Sequence, residues 1–440
     1  MKVGLIGAGN MGISWAGAVL LAGHELTVVD KDSKKVEGWD DGSLFVGEGD
    51  IWEGIDSGHA FVSDSLTALS DVEIIFIAVQ TPEIISPKTG YPECDFTALT
   101  KLLKELLPLL SKGQMVILGS TVFPGTIDKV IKPLWGECEA TFVYQPVFLR
   151  VGCGVMDFLH PSKIVIGLEE AYRSPYLNPN CSSMDPKWRK LVKFVESTTW
   201  NDAKPAYCSY EEAEFIKLMH NTFMCVKINF ANEFGMLCDR FDVDSDAVTH
   251  ITFDESSQGR LLTLSHMRAG PPFSGTCLPK DSAILQGILA ETGLMGYCQM
   301  LANTNHINYD RIRKAYLYLT ESDDVHTVGV IGMGFRPGYP DARHSLAVEF
   351  RKIAIGDETG TKFWDPAFDL DDITLDLVGR GDDDVEELFH NMAPSLDVLM
   401  ETVDAVVVNM PLNEDDLDTV QMHTGPGMPY IDFYKNGLEE

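Results

Sequence analysis

Apolar and polar positions along the 440 residues follow two rhythms. In the first third, short unbroken apolar runs alternate with segments of helical period. Val3–Ile6, Leu26–Val29 with Thr27 inside it, 73–79 after Glu73, Met115–Leu118 and Thr141–Tyr144 after its threonine are such runs, each followed by Gly, Asp or Gln. Unbroken runs of this length predict parallel strands buried on both faces. Between them, apolar positions through Trp15, Val19 and Leu20 predict a helix ended by Gly23-His24, and 97–110 predicts another. Residues 171–208 are rich in Ser, Asn, Pro and Tyr, with a helical piece near 186–197, and read as a surface excursion followed by a boundary. Helical period then dominates from Glu211 to about Arg240 and again over 281–320, the second stretch reading as a link. From His326 the strand rhythm restarts, with a glycine turn at 332–334, a helix over 346–355, and strand ends near Trp364 and Asn409. Asp382–Glu387 reads as a solvated helix start. The fold class expected is α/β: two domains with mainly parallel sheets, joined by a central helical domain with a long linking helix. The boundaries expected are 1–205, 206–320 and 321–440.

Composition narrows the class. Hydrophobic residues make up 45% of the chain, and no apolar run reaches the roughly 18 residues of a membrane helix. A strand at residues 3–6 leaves no room for a signal peptide, so the cytoplasm is the expected location. The nine cysteines are odd in number and contain no Cys-x-x-Cys, which argues against a disulfide framework or a zinc site; no metal is expected. A net charge of −32 makes nucleic acid and anionic membranes poor partners, and means that an anionic ligand must be met by locally placed cations or helix N-termini.

Three patterns carry chemistry. Gly7-Ala8-Gly9-Asn10-Met11-Gly12 lies between a strand and a helix, and the next strand ends in Asp30. That is the first βαβ unit of a Rossmann fold, with Asp30 placed to accept from an adenosine 2′-hydroxyl, which favours NAD over NADP. Thr81 and Thr121 follow two further strands, where such sheets bind ligands, and a helix-capping role is equally compatible with each. Pro272–Asp281 sets Cys277 among small residues, with Lys280 and Asp281 just behind it; this is the setting of a nucleophilic thiol. Lys217, Asn221, Ile228 and Asn232 fall near one face of the helix from 211, and the two asparagines, among Phe223, Phe230 and Phe234, read as functional.

Taken in order, these motifs resemble the UDP-glucose/GDP-mannose dehydrogenase family. Further matches are Val79-Gln80-Thr81-Pro82, Ser120–Thr126, Phe148-Leu149-Arg150, Glu214–Lys217 with Asn221, Phe230–Glu233, and Phe335–Gly338 with Asp341, Arg343 and Ser345. Met267–Gly270 and the Cys277–Asp281 run look most like GDP-mannose 6-dehydrogenase members. The resemblance implies NAD-dependent, four-electron oxidation of a sugar C6 alcohol to a carboxylate, with a GDP- or UDP-sugar as substrate. It implies Cys277 as nucleophile, Lys217 and Asn221 holding a developing oxyanion, Asp281 positioning a water or a lysine, and Thr121 at the catalytic site. The cofactor residues implied are Gly7, Gly9, Asn10, Met11, Gly12, Asp30, Lys35, Thr81, Thr121, Lys280 and Arg343. The substrate residues implied are Phe148, Leu149, Arg150, Lys217, Asn221, Asn232, His266, Arg268, Cys277 and Arg336. A homodimer or higher oligomer paired through the middle helices is implied as well.

The chain departs from the family at Gln145-Pro146-Val147-Phe148-Leu149-Arg150-Val151, where the family has a glutamate at the positions of Val147 and Val151. The first is associated there with activating water for thioester hydrolysis, and valine can do neither proton transfer nor water binding. Ser274-Gly275-Thr276 replaces Gly-Gly-Ser, and Arg336 replaces a lysine. Three outcomes stay open: a complete dehydrogenase, one that stops early, or a non-catalytic nucleotide-sugar binder. A 3-hydroxyacid or 6-phosphogluconate-type dehydrogenase, which lacks the nucleophilic cysteine, is the more distant alternative.

Overall fold

Among the described residues the strands run three to five residues, and the central ones are buried along nearly their whole length. The computed structural model describes residues 1–41, 60–87, 90–150, 152–169, 186–253, 267–368, 383–424 and 428–434. The chain divides into two compact units: residues 1–86 with 93–219, and residues 87–92 with 220–440.

The first unit holds β1 (Lys2–Ile6), β2 (Glu25–Val29), β3 (Ala60–Ser63), β4 (Ile74–Ile77), β5 (Glu83–Ile85), β6 (Pro92–Cys94, which begins at the boundary), β7 (Met115–Leu118), β8 (Thr141–Tyr144), β9 (Ile164–Leu168) and β10 (Pro205–Ser209). Its longer α-helices are α1 (Asn10–Leu21), α2 (Ser33–Asp41), α3 (Thr97–Leu106), α4 (Gly154–Leu159) and α5 (Pro186–Ser197), with a single turn at Lys132–Trp135 besides, and α6 (Tyr210–Arg240) begins in it. Eight strands form one sheet in the order β10-β9-β8-β7-β4-β1-β2-β3, parallel except where β9 runs against β8. Alternate residues of a strand feed opposite cores: Val3 and Leu5 pack with Trp15 and Phe76, whereas Ile6 packs with Ile75, Leu103 and Val116. Trp15 stacks on Phe76 at 4.6 Å, pinning α1 to the sheet. The segment expected to be an excursion contains one more strand, β10; residues 170–185 of it lie outside the described residues.

The second unit holds the rest of α6, then α7 (Ser245–Thr252), α8 (Leu278–Glu291), α9 (Met295–Leu319), β11 (Thr327–Ile331), α10 (Leu346–Gly356), β12 (Gly360–Trp364), α11 (Asp383–His390), α12 (Leu396–Glu401), β13 (Ala405–Val408), α13 (Glu414–His423) and β14 (Tyr430–Asp432). Its four strands are all parallel, in the order β12-β11-β13-β14. The helical stretch expected over 281–320 is two helices, not one. Gly293, with φ +76°, breaks it, and α9 folds back on α8, with Ser282 donating to Asn305 and Cys298 to the Gln286 carbonyl. Glycine just past a helix end is the ordinary signal for such a stop.

Both units repeat one turn. Gly7 and Gly332 have φ of +100° and +95°, and their N–H groups donate to Val29 O at 2.9 Å and Trp364 O at 2.8 Å. Asp30 accepts from Ala8 N at 2.7 Å and Asp32 N at 3.0 Å. Asp365 accepts from Met333 N at 2.8 Å and Ala367 N at 2.9 Å. The acid after the second strand is thus first of all a brace for the glycine turn.

Candidate active site

The two glycine turns differ in what lies over them. A Cβ on Gly9 would meet nothing within 4 Å, and the α1 N-terminus that Gly9 caps has no side-chain acceptor on its N–H groups. A Cβ on Gly334, the corresponding residue, would lie 2.6 Å from Tyr339 O, because residues 335–341 fold over the turn. The first turn therefore has an open helix N-terminus with backbone donors facing outward, which fits a dinucleotide diphosphate; the second is covered. Gly7 and Gly12 serve packing: Cβ atoms there would lie 2.6 Å from Ala78 O and 2.0 Å from Gly7 O. Asn10 and Met11 start α1 over this turn. Lys35 Nζ lies 3.7 Å from Asp30 Oδ2; the carboxylate, with two backbone donors already bound, retains lone pairs for a ribose hydroxyl.

At the carboxyl ends of β4 and β7, the Thr81 hydroxyl donates to Thr121 O at 2.8 Å and the Ser120 hydroxyl to Val79 O at 2.7 Å. These two hydroxyls tie the two strand ends together. Glu214, 1% exposed, reaches from α6 to accept from Gly125 N at 2.7 Å and Ile127 N at 2.9 Å. Burial pushes its carboxyl up to about 7, against the pull of the two N–H donors. One turn on, buried Lys217 donates to Val147 O at 2.8 Å and sits over the Phe148 ring. Lys163, which nothing in the sequence singled out, sits over the same ring; burial first, then the Lys217 charge, lowers its amine below the usual lysine range. Leu149 is half-buried, and Arg150 is exposed and pairs with Asp157 at 3.0 Å.

In the second unit, Cys277 is exposed immediately before α8. Asp281, one turn later, donates its N–H to Cys277 O at 2.9 Å and is 1% exposed. Asn221 donates to its Oδ2 at 2.6 Å, and Lys280 Nζ lies 3.4 Å from Oδ1, which has no hydrogen-bond partner. The Cys277 turn is thus backed by a buried carboxylate with one oxygen still able to accept. Cys225 lies beneath, donating to Asn221 O and Leu278 O; burial pushes its thiol up to about 12, which makes it inert. Arg343 pairs with buried Asp341, whose hydrogen bonds raise the guanidinium further. Arg268 is exposed and Arg336 half-buried. Asn232 is buried and spends both ends of its amide on the loop before the cysteine, accepting from Gly270 N and donating to Pro271 O. Its phenylalanine neighbours face outward: Phe223, Phe230 and Phe234 are exposed while Asn221 and Asn232 are buried, the reverse of an ordinary amphipathic helix. His266 and Val151 lie outside the described residues.

Of the residues singled out in the sequence, the first unit contains the glycine turn, Asp30, Lys35, Thr81, Thr121, Phe148, Leu149, Arg150 and Lys217, and the second contains Asn221, Asn232, Arg268, Cys277, Lys280, Asp281, Arg336 and Arg343.

Residues 1–178 match the NAD-binding domain of the UDP-glucose/GDP-mannose dehydrogenase family, and residues 211–310 match its central domain. The chain belongs to this family. Members are NAD-dependent nucleotide-sugar dehydrogenases, so the chain is an oxidoreductase that uses NAD. It is 30% identical over 363 residues to the Bacillus subtilis protein YtcA, provisionally named a UDP-glucose 6-dehydrogenase, covering 79% of this chain and 77% of that one. It is 29% identical over 374 residues to the GDP-mannose 6-dehydrogenase of Pseudomonas aeruginosa, covering 81% and 79%. A UDP-glucose dehydrogenase structure from Pyrobaculum islandicum shares the fold at TM-score 0.76 and 22% identity, covering 98% of this chain and 94% of that one. Among the described residues, no His, Cys, Asp and Glu group could hold a metal, and no helix is long and apolar enough to cross a membrane.

Val147, one of the two positions where a glutamate was expected from the resemblance, packs its side chain against the apolar core that contains Trp15 and Phe76, and its carbonyl accepts from Lys217.

Proposed function

We propose that the chain oxidises the C6 alcohol of a nucleotide-diphosphate sugar to the carboxylate, with GDP-mannose as substrate and a UDP-sugar of the UDP-glucose type as the alternative. The observation that carries the reading is the exposed Cys277 one helical turn ahead of the buried Asn221–Asp281 pair. Bound at the open turn of Gly7, Gly9 and Gly12, NAD supplies hydride-accepting chemistry, two NAD+ being reduced as one alcohol and one water become a carboxylate and three protons. Lys217 and Asn221 stabilise negative charge developing on the sugar C6 oxygen. The Cys277 sulfur adds to the aldehyde carbon to give a thiohemiacetal, whose oxidation leaves a thioester. Asp281, through Oδ1, orients the water that releases the acid. Arg268, Arg336 and Arg343 supply local cations for a diphosphate and the cofactor in a chain of net charge −32. GDP-mannose is preferred because Met267-Arg268-Ala269-Gly270 and the Cys277–Asp281 run are most like members acting on it.

Val147 favours a second reading, in which oxidation proceeds to the thioester and its release is slow, since an apolar side chain cannot take a proton from water. A panel of GDP- and UDP-sugars with NAD, with NADH counted per sugar consumed, tests the first reading; absence of NADH with every sugar overturns it. A persistent acyl adduct on Cys277 in the intact-protein mass selects the second.

The partner is a second copy of the chain. Phe223, Phe230, Phe234 and Leu237 of α6, with Phe241 just past its end, are 57%, 55%, 40%, 47% and 73% exposed, an apolar surface that a lone subunit would leave in water. Light scattering should give at least twice the chain mass of 48.7 kDa. The thiols found free among the described residues suit a reducing compartment such as the cytoplasm.

A further inference from the structure

The loop leading to Cys277 is tied down almost residue by residue. Asn308, on α9 and only 8% exposed, gives both ends of its amide to one loop residue: Oδ1 accepts from Phe273 N at 2.8 Å, and Nδ2 donates to Phe273 O at 2.8 Å. Asn232, on α6, does the same nearby, accepting from Gly270 N at 2.8 Å and donating to Pro271 O at 3.2 Å. Arg311, next along the same face of α9, donates to Gly270 O at 3.0 Å. On the far side, Gly275 N donates to His344 O at 3.1 Å, and the Ser274 hydroxyl to Phe335 O at 3.3 Å. His344 is one of three non-glycine residues with positive φ among the described ones, at +52°. Cys277 follows two residues after the last of these ties.

We propose that Asn308 is a positioning residue: its amide clamp on Phe273 sets where the Cys277 sulfur meets the aldehyde, and so governs the second oxidation rather than the first. This rests on the nucleotide-sugar reading above. In the step concerned, the thiol gives up its proton, a sulfur lone pair forms the C–S bond, the carbonyl π pair moves onto oxygen, and that oxygen takes up one proton in place of the one released; there is no further oxidation until the resulting thiohemiacetal gives up hydride to NAD. The first oxidation makes no bond to sulfur and does not need the loop held. Addition does need it, because a displacement of about 1 Å from attack geometry costs on the order of a hundredfold in rate. An aldehyde that waits for sulfur escapes to solvent.

The test compares wild type with Asn308→Ala and with Asn308→Asp, which is the same shape, keeps the acceptor and loses the donor. Wild type should form two NADH per sugar. Asn308→Ala should fall towards one, with the missing equivalent recovered as aldehyde by a hydrazine trap. Its initial rate of first-hydride transfer should stay within about threefold of wild type, and its KM for NAD within about twofold. Asn308→Asp should lie between, and it carries the test if Asn308→Ala does not fold. Hydrogen exchange of the 270–277 peptide, which needs no substrate, should speed up at least tenfold while α10 is unchanged. Two NADH per sugar at wild-type rate, an equal fall in both oxidations, or unchanged exchange would overturn the proposal. If wild type makes no NADH from any nucleotide sugar, the functional reading has failed, and the exchange result alone then upholds or removes the clamp.

Discussion

Replacing Glu214 with Gln gives a prediction with a sign that depends on pH. The carboxyl is 1% exposed and accepts from Gly125 N and Ile127 N, so two backbone donors depend on it. Burial raises it from 4.5 to about 7. A raised acid contributes its full stability below its unfolded value, and loses it as pH climbs through the folded one. Between pH 4.5 and 7 the wild type should therefore lose roughly 3 kcal/mol at this group, taking about 1.4 kcal/mol per tenfold change in proton concentration. Gln cannot ionise, so Glu214→Gln escapes that loss. It has only one acceptor atom, however, and leaves one buried N–H facing its own NH2, at about 1–3 kcal/mol. The variant should be less stable than wild type at pH 5 by about 1–3 kcal/mol and should draw level with it, or pass it, by pH 8. Urea melts of both proteins at pH 5, 6, 7 and 8, followed by tryptophan fluorescence, report the difference directly. A stability difference that is flat in pH, or that grows more unfavourable to the variant as pH rises, would refute the claim that burial outweighs the two donors.

Other outcomes follow from the same geometry. Cys277→Ser should abolish acid formation while leaving the melting temperature within about a degree, since the side chain is exposed; sustained acid production would point instead to a dehydrogenase that needs no sulfur nucleophile. Iodoacetamide should label Cys277 and spare Cys225 in the native protein, because Cys225 is buried and its thiol is pushed up to about 12, and peptide mass mapping reads the difference. Gly12→Ala should unfold the first unit or cost it several kcal/mol, its Cβ meeting Gly7 O at 2.0 Å, whereas Gly9→Ala should leave melting unchanged and weaken NAD binding about tenfold or more, as titration calorimetry would show.

Some of this protein was determined by the sequence alone. Unbroken apolar runs ending in glycine, threonine or aspartate set the buried parallel strands of both sheets, because a strand covered on both faces has no polar face to keep. The spacing of Gly7, Gly9 and Gly12 set the turn, since a Cβ at Gly7 or Gly12 has no space and its absence at Gly9 leaves a helix N-terminus open. The small neighbours of Cys277 pointed to a reachable thiol, and its side chain is exposed. Other features needed the tertiary structure. Gly293 was visible, yet only the packing of α9 back on α8 shows that it divides one apparent helix into two. Asn232 read as functional, and only the fold shows that its amide holds a loop 38 residues away. Asn308 gave no sign at all, because its partner, Phe273, is 35 residues distant and a polar residue on a helix looks solvated until something covers it. Period and turn chemistry are local and survive in the sequence. Hydrogen-bond partners of buried side chains are chosen by which distant backbone the packing brings within 3 Å, and only the folded chain makes that choice.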